Sequence, residues 1–450
     1  MWVNQVKRAK SCLWKHFSRS PVYVFALVII AISASCDSDD AEEKTVLRVI
    51  TYPWIPDAAD DQFASLDAFI EEDFESNFPD IDLQLRPISQ SFGVYELEAD
   101  NGSAGSIVRW LTNEVVSSDE HEGEQGYHLV EIDTLILDEL LNRDLLRPWQ
   151  DVSTSDWHQA GEDAVTLNGK VYGVPRLICG HFLFSRHQEL TSAGTVDELI
   201  TAINDSLPTD KRAISGNWLG SWNSTALYLD AWQDTYPQAD INTAFGSTSG
   251  AVDLDDNVLA KLEKISALCQ FDGANHCVDG TYDNWEDPHR AAREFGKGET
   301  YSMFGYSERL HYIAREAKKQ SVQIDDVQLS SIPLGDGVMP ILFADAFVMR
   351  KDCDSTCQAA AETFVSYFNS PRVQEYVLMS RDAGEDSIPR YLLPATRSAF
   401  TETELAKDRF YVELNKQIRD AKSYPNQNFY KVKDEAKCQI YTSLKAQPCE

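Results

Sequence analysis

The chain has 450 residues, too many for one ordinary core and comfortable for two lobes. Its hydrophobic content of 43% and aromatic content of 11% support a packed globular body rather than disorder. A formal net charge of -32, with no basic run beyond the extreme N-terminus, would repel nucleic acid and anionic lipid; it fits a solubility or salt-tolerance surface and mildly favours a cationic ligand.

Residues 1–35 hold Lys7, Arg8, Lys10, Lys15 and Arg19 and no acid, followed by the apolar run from Val22 to Ala34. A basic leader, a short apolar stretch and small residues ahead of a cut make an export signal, and the stretch is too short for a confident membrane span. Ser33-Ala34-Ser35-Cys36 resembles a bacterial lipobox, with Ser33 where leucine is usual. Lipidation of Cys36, which would attach the protein to a membrane, and ordinary cleavage near Ser35 are both compatible with it. Residues 36–44 read as an acidic, solvated tether, so the mature protein is expected at the cell surface, in the periplasm or secreted.

Val46 to Ile50 reads as a buried strand ending at the turn residues Tyr52-Pro53. Phe63, Leu66, Phe69, Ile70, Phe74 and Phe78 recur at helical spacing until Pro79, and Ile81, Leu83 and Leu85 alternate as the next strand. Such a β-α-β opening implies a parallel sheet. Residues 96–125 are polar, acidic and glycine-dotted around one helical piece from Ile107 to Val116, which predicts a surface insertion. Leu129 to Asp133 is a third strand, and Asp133 sits at its C-terminal end, where ligands of open α/β sheets bind; capping of the next helix is the alternative role.

Asn168-Gly169 predicts a hairpin turn leading into one long strand that runs through Phe184. From there to about Ser331 the pattern is mostly helical, and Ile341 to Met349 is another apolar strand. Asp345 lies inside that strand, where an unpaired carboxylate is costly. Ala361, Phe364, Val365 and Phe368 mark an amphipathic helix broken at Asn369-Ser370-Pro371.

The cysteines divide unevenly. Cys12 leaves with the signal, and six others form sequence-local pairs, Cys269/Cys277, Cys353/Cys357 and Cys438/Cys449, for which an oxidising compartment predicts disulfides. Cys353 and Cys357 lack the further ligands of a zinc finger, so a staple at a helix start is expected there. Cys179 is left over, and on its own it reads equally as a buried inert thiol or a reactive one.

The stretch Asn168-Gly169-Lys170-Val171-Tyr172-Gly173-Val174-Pro175 resembles the first lobe crossover of sugar-type solute-binding proteins, and the helix ending at Phe368-Asn369-Ser370-Pro371 resembles their late helix. That likeness implies a two-lobed α/β fold of the type II periplasmic binding-protein kind, with a ligand cleft between one lobe of residues 45–180 plus 335–450 and another of 181–334. Six collinear segments are more specific. Tyr52-Pro53-Trp54-Ile55-Pro56-Asp57, Glu131-Ile132-Asp133-Thr134, the run from Val171 to Phe184 around Cys179, Phe304-Gly305-Tyr306-Ser307-Glu308, Leu342-Phe343-Ala344-Asp345 and Arg390-Tyr391-Leu392-Leu393-Pro394-Ala395 resemble, in order, segments of thiaminase I, the thiamine pyridinylases.

The resemblance implies transfer of the aminopyrimidine-methyl group of thiamine to an amine or thiol, by a monomer that uses no metal or organic cofactor. Cys179 would be the nucleophile and Glu308 the general acid/base. Asp133 and Asp345 would bind the aminopyrimidine, while Tyr52, Trp54 and Tyr306 offer faces for stacking and for a cation. Trp54, Phe343 and His289 stand where that family has tyrosines. His181 and His311 lie near these segments but are left out of the expected site. The rival expectations are a solute-binding lipoprotein of a transporter for thiamine or a related compound, and a cysteine hydrolase with a histidine partner for Cys179.

Overall fold

A computed structural model describes residues 44–99, 102–112, 126–246, 252–284 and 286–444. The export signal, Cys36 and all of the tether but Lys44 lie outside the described residues, as does Cys449. The described residues form one compact unit.

The strands divide between two principal sheets. The larger runs in the order Leu393–Pro394, Gly173–Cys179, Ile341–Arg350, Leu129–Asp133, Thr45–Ile50, Ile81–Arg86. The opening β-α-β unit is parallel as the periodicity predicts, with Ala64–Asn77 as its helix, whereas Ile341–Arg350 runs antiparallel to both of its long neighbours. Every residue of Leu129–Asp133, Gly173–Cys179 and Ile341–Arg350 is buried, which explains the near-continuous apolar runs in the sequence. The smaller sheet runs Gln328–Ser331, His181–Ser185, Thr300–Tyr306, Arg212–Ser215.

Two sequence expectations need correction and a third is incomplete. The single strand expected through Phe184 is broken at Gly180, so Cys179 ends a strand of one sheet and His181 begins a strand of the other. The break needs glycine, because a Cβ there would stand 2.5 Å from a Leu342 methyl and 2.8 Å from the Ile341 carbonyl oxygen. The region from Phe184 to about Ser331 is mostly helical as expected, yet it also supplies three strands of the smaller sheet, Arg212–Ser215, Thr300–Tyr306 and Gln328–Ser331; these are short and rich in serine and tyrosine, so they carry little apolar alternation. Finally, the expected surface insertion is partly interior. Leu97, Ile107, Trp110 and Leu111 are buried in an apolar cluster with Ile50, Val130 and Val348, and the helical piece spans only Ser106–Trp110 among the described residues.

Two of the three expected disulfides form in full, Cys269–Cys277 and Cys353–Cys357, the latter at the start of the helix Ser355–Phe368. Cys438 is also disulfide-bonded. Cys179 is a free, buried thiol.

The segment that carries Tyr52 is fixed from the far end of the chain. Arg390, fully buried, forms a two-pronged pair with Asp382 at 2.7 and 2.6 Å and donates to the carbonyls of Pro56 and Val377 at 2.9 and 2.7 Å. Removing one partner of such a pair leaves a buried charge uncompensated. Arg390→Met should therefore lower the unfolding free energy by about 3–5 kcal/mol in urea titration. A loss below about 1 kcal/mol, the range of an exposed pair, would show that the contact is not structural.

Candidate active site

The site is assembled where the two sheets meet at Gly180. In the larger sheet Asp345 lies directly opposite Asp133 on the neighbouring antiparallel strand, and Phe343 lies opposite Cys179 on the other side. The Cys179 Sγ is 3.9 Å from Asp345 Oδ2, within reach of a weak thiol hydrogen bond. Asp133 does fill the capping role, accepting from the Leu135 amide at 2.9 Å through Oδ1. Its other oxygen accepts from the Tyr95 hydroxyl at 3.1 Å.

Neighbouring charges are already paired. Glu131 accepts from Arg176 Nη1 at 2.7 Å and from the Tyr52 amide at 2.7 Å, with both side chains buried and the guanidinium 4.7 Å from the centre of the Phe368 ring. Arg176 therefore eases the charge on Asp345 without bonding to it, and burial together with Asp133 and Glu131 pushes the Asp345 carboxyl far above the usual range. Burial raises Asp133 to about 7, against the opposing pull of its bonds from Leu135 and Tyr95. Two carboxyls in register cannot both ionise easily, so near neutrality the pair retains a proton.

Glu308 occupies the position just before the helix Arg309–Gln320 but makes no side-chain capping bond there. Its Oε2 and the Oδ1 of Asp345 are buried and accept no hydrogen bond from the protein. Such acceptors are costly unless something else binds them. Burial raises the Glu308 carboxyl, partly offset by Arg309 and His181. Burial, then the charges of Asp345, Glu308 and Asp133, push the Cys179 thiol well above its ordinary value. At neutral pH the resting thiol keeps its proton, so a nucleophilic role needs a base at the moment of attack.

The aromatic wall is contributed by both sheets. Tyr306, opposite His181 in register, stacks on the imidazole with centroids 4.3 Å apart and meets Phe343 edge-on at 5.7 Å. Tyr52 is buried and its hydroxyl shares a 2.5 Å hydrogen bond with that of Tyr95. Trp54 stands farther out, 38% exposed and edge-on to Phe92. Cys179, Asp133, Asp345, Glu308 and Tyr52 are thus buried and Tyr306 partly buried, with Trp54 at the surface.

Several contributors escape the sequence reading. Tyr95 ends the short helical turn Phe92–Tyr95, just ahead of the polar insertion, and carries no periodic signal. His181, left out as structural, bonds Asp230 at 2.6 Å, and Asp230 also accepts from the Tyr424 hydroxyl at 2.9 Å. Asp230 was findable by the logic that singles out Asp345, as an acid inside the apolar run Leu227-Tyr228-Leu229-Asp230-Ala231-Trp232. His311, by contrast, has its Nδ1 bonded to the Pro389 carbonyl at 3.0 Å and does serve the scaffold. Among the described residues no group of acids, histidines and cysteines is arranged to hold a metal ion.

Residues 121–399 match the family model of the bacterial extracellular solute-binding proteins. The chain belongs to that family. It is also similar to Thiaminase-1 of Paenibacillus thiaminolyticus, at 23% identity over 405 residues covering 86% of this chain and 85% of that protein. Among solved structures it resembles Clostridium botulinum thiaminase I in complex with thiamin, with a TM-score of 0.65 and 18% identity over 89% of this chain and all of that one. A maltose-bound T. maritima protein, MalE3, superposes with a TM-score of 0.60 and 15% identity, covering 89% and 99%. The α/β solute-binding-protein fold and the likeness to thiaminase I expected from the sequence are both found.

Because the buried carboxyl of Asp133 titrates near 7 when folded and near 4 when unfolded, its neutral form favours folding. That stability is full below about pH 4 and is lost as pH rises through about 7. Asp67 and Asp234, both raised to about 7 by burial, act in the same direction. Unfolding measured between pH 4.5 and 8 should therefore show declining stability, and Asp133→Asn should flatten the slope. A slope unchanged in that variant would contradict the buried, raised carboxyl.

Proposed function

We propose that this exported protein degrades thiamine by transferring its aminopyrimidine-methyl group from the thiazole to an amine or thiol. The observation that carries the proposal is the convergence in the interior of a free thiol, a glutamate with one unbonded buried oxygen, and two aspartates opposite one another in strand register. A protein that only binds its ligand has no use for a thiol beside a buried base. The likeness to Thiaminase-1 and to the thiamin-bound Clostridium botulinum structure supports the same reading.

In this mechanism Glu308 takes the proton of Cys179 as Sγ bonds to a carbon of the pyrimidine ring. The electron pair displaced into the ring then expels the thiazole from the methylene as a neutral base. A nucleophile bonds to the methylene, the ring expels the Cys179 sulfur, and Glu308 returns its proton. Asp133 and Asp345 hold the amino group and a protonated ring nitrogen, which makes the ring electron-poor enough for attack. Their shared proton suits a ligand that both donates and accepts, and the anionic surroundings favour the cationic thiazolium. Tyr52 and Tyr306 supply the stacking walls, with Trp54 at the mouth.

The strands fall on either side of the expected lobe boundaries, which supports lobes of residues 45–180 plus 335–450 and 181–334 that part to admit substrate. Opening is required because Cys179 is only 7% exposed. Membership of the extracellular solute-binding family favours one rival, a lipoprotein that delivers thiamine or a related compound to a transporter.

Incubation with thiamine and aniline separates the two. Transfer should yield free thiazole and the aniline adduct, whereas stoichiometric binding without product would establish the carrier. Cys179→Ser should keep most thiamine binding and lose turnover, and unchanged turnover would remove Cys179 as nucleophile. Glu308→Gln should lower kcat roughly a hundred- to ten-thousand-fold; a loss below about threefold, read in the same assay, would exclude it as the base.

A further inference from the structure

Beside the carboxylates, on the smaller-sheet side, lies a cavity of about 350 Å³ whose lining includes His181, Asn223, Asn284, Tyr306 and Arg309. None of Cys179, Asp133 and Asp345 lines it. Its size falls at the small end of ligand pockets and suits a single ring. Two of its wall residues, His181 and Tyr306, lie near the reacting thiol in chain and in register. Tyr306 meets Phe343, which lies opposite Cys179, and His181 follows Cys179 by two residues, a span of at most about 7 Å.

His181 is held in a way the mechanism above leaves unused. Its Nδ1 is engaged by Asp230 Oδ2 at 2.6 Å, its ring is stacked on Tyr306, and Asp230 is fixed in turn by the Tyr424 hydroxyl. A carboxylate on Nδ1 selects the tautomer that carries its proton there and leaves Nε2 as the basic nitrogen. That arrangement orients a base, and the cavity is the space such a base could serve. The amides of Asn217, Asn223 and Asn284 in the wall favour a small polar-headed ring over a purely apolar one.

We infer that this cavity seats the second substrate, an amine or thiol that carries a hydrogen on its nucleophilic atom, and that His181 Nε2 removes that hydrogen. The inference rests on the transfer reading and divides the proton traffic between two bases. Glu308 handles the proton of Cys179, while His181 handles that of the acceptor. As the acceptor lone pair forms its bond to the methylene carbon, the proton on the same atom passes to Nε2. The electron pair returned to the pyrimidine then breaks the bond to Cys179 Sγ. The imidazolium releases its proton to solvent once product has left. Asp230 acts as a positioning residue through His181.

The choice of acceptor gives the test, because aniline must lose a proton on transfer and pyridine has none to lose. His181→Gln should reduce turnover with aniline about a hundredfold while changing turnover with pyridine less than about threefold. Asp230→Asn should shift the same aniline-to-pyridine ratio in the same direction, which a merely structural defect would not do. In single turnovers with enzyme in excess and no added acceptor, His181→Gln should release thiazole as fast as the unaltered protein. Equal losses with aniline and pyridine, or a lost thiazole burst in His181→Gln, would overturn the inference. Failure of the unaltered protein to release thiazole at all would instead remove the transfer reading on which it rests.

Discussion

Asp133 and Asp345 are placed opposite one another by strand register, in the interior, with the nearest buried guanidinium committed to Glu131. Neither can be charged comfortably while the other is, so the pair keeps a proton at a pH where free aspartates have lost theirs. Much of the site follows from that placement. Burial and then the anionic surroundings hold the Cys179 thiol protonated at rest, so the proposed attack needs a base. In the proposed mechanism the same carboxyls offer one donor and several acceptors to a heterocycle that needs both.

The scaffold explains how such a cluster can be built. Solute-binding proteins bring two sheets together through chain crossovers, and here one crossover passes through Gly180, too close to Ile341 and Leu342 for any side chain. Cys179 and His181 are thereby consecutive functional positions on different sheets, one beside the aspartates and the other beside Tyr306 and the neighbouring cavity. In the proposed mechanism that small sequence separation divides two chemical tasks, attack on the ring and handling of the acceptor.

Legibility in the sequence followed physical cause. Asp345 stood out because an acid inside an apolar strand demands an explanation, and the helix boundary at Asn369-Ser370-Pro371 was plain because Ser370 caps the next helix and Pro371 opens it. The smaller sheet was hidden because its Thr300–Tyr306 strand mixes serine, glycine and tyrosine, and its polar side chains are satisfied internally, as Ser302 is by the Ala213 carbonyl. Tyr95 was illegible because it reaches Asp133 from a short turn, Phe92–Tyr95, that has no periodic pattern of its own. His181 was dismissed because its meaning depends on Asp230, distant in sequence and visible beside it only in the fold.

The central claim is that Cys179 forms a bond to the pyrimidine while the thiazole departs. It is tested most directly by mixing the protein with thiamine, quenching in acid within a single turnover, and mapping peptide masses. The account predicts that the peptide bearing Cys179 gains the mass of the aminopyrimidine-methyl group as thiazole appears, and that added aniline discharges it. Thiazole release with every cysteine peptide unmodified throughout the time course would contradict it.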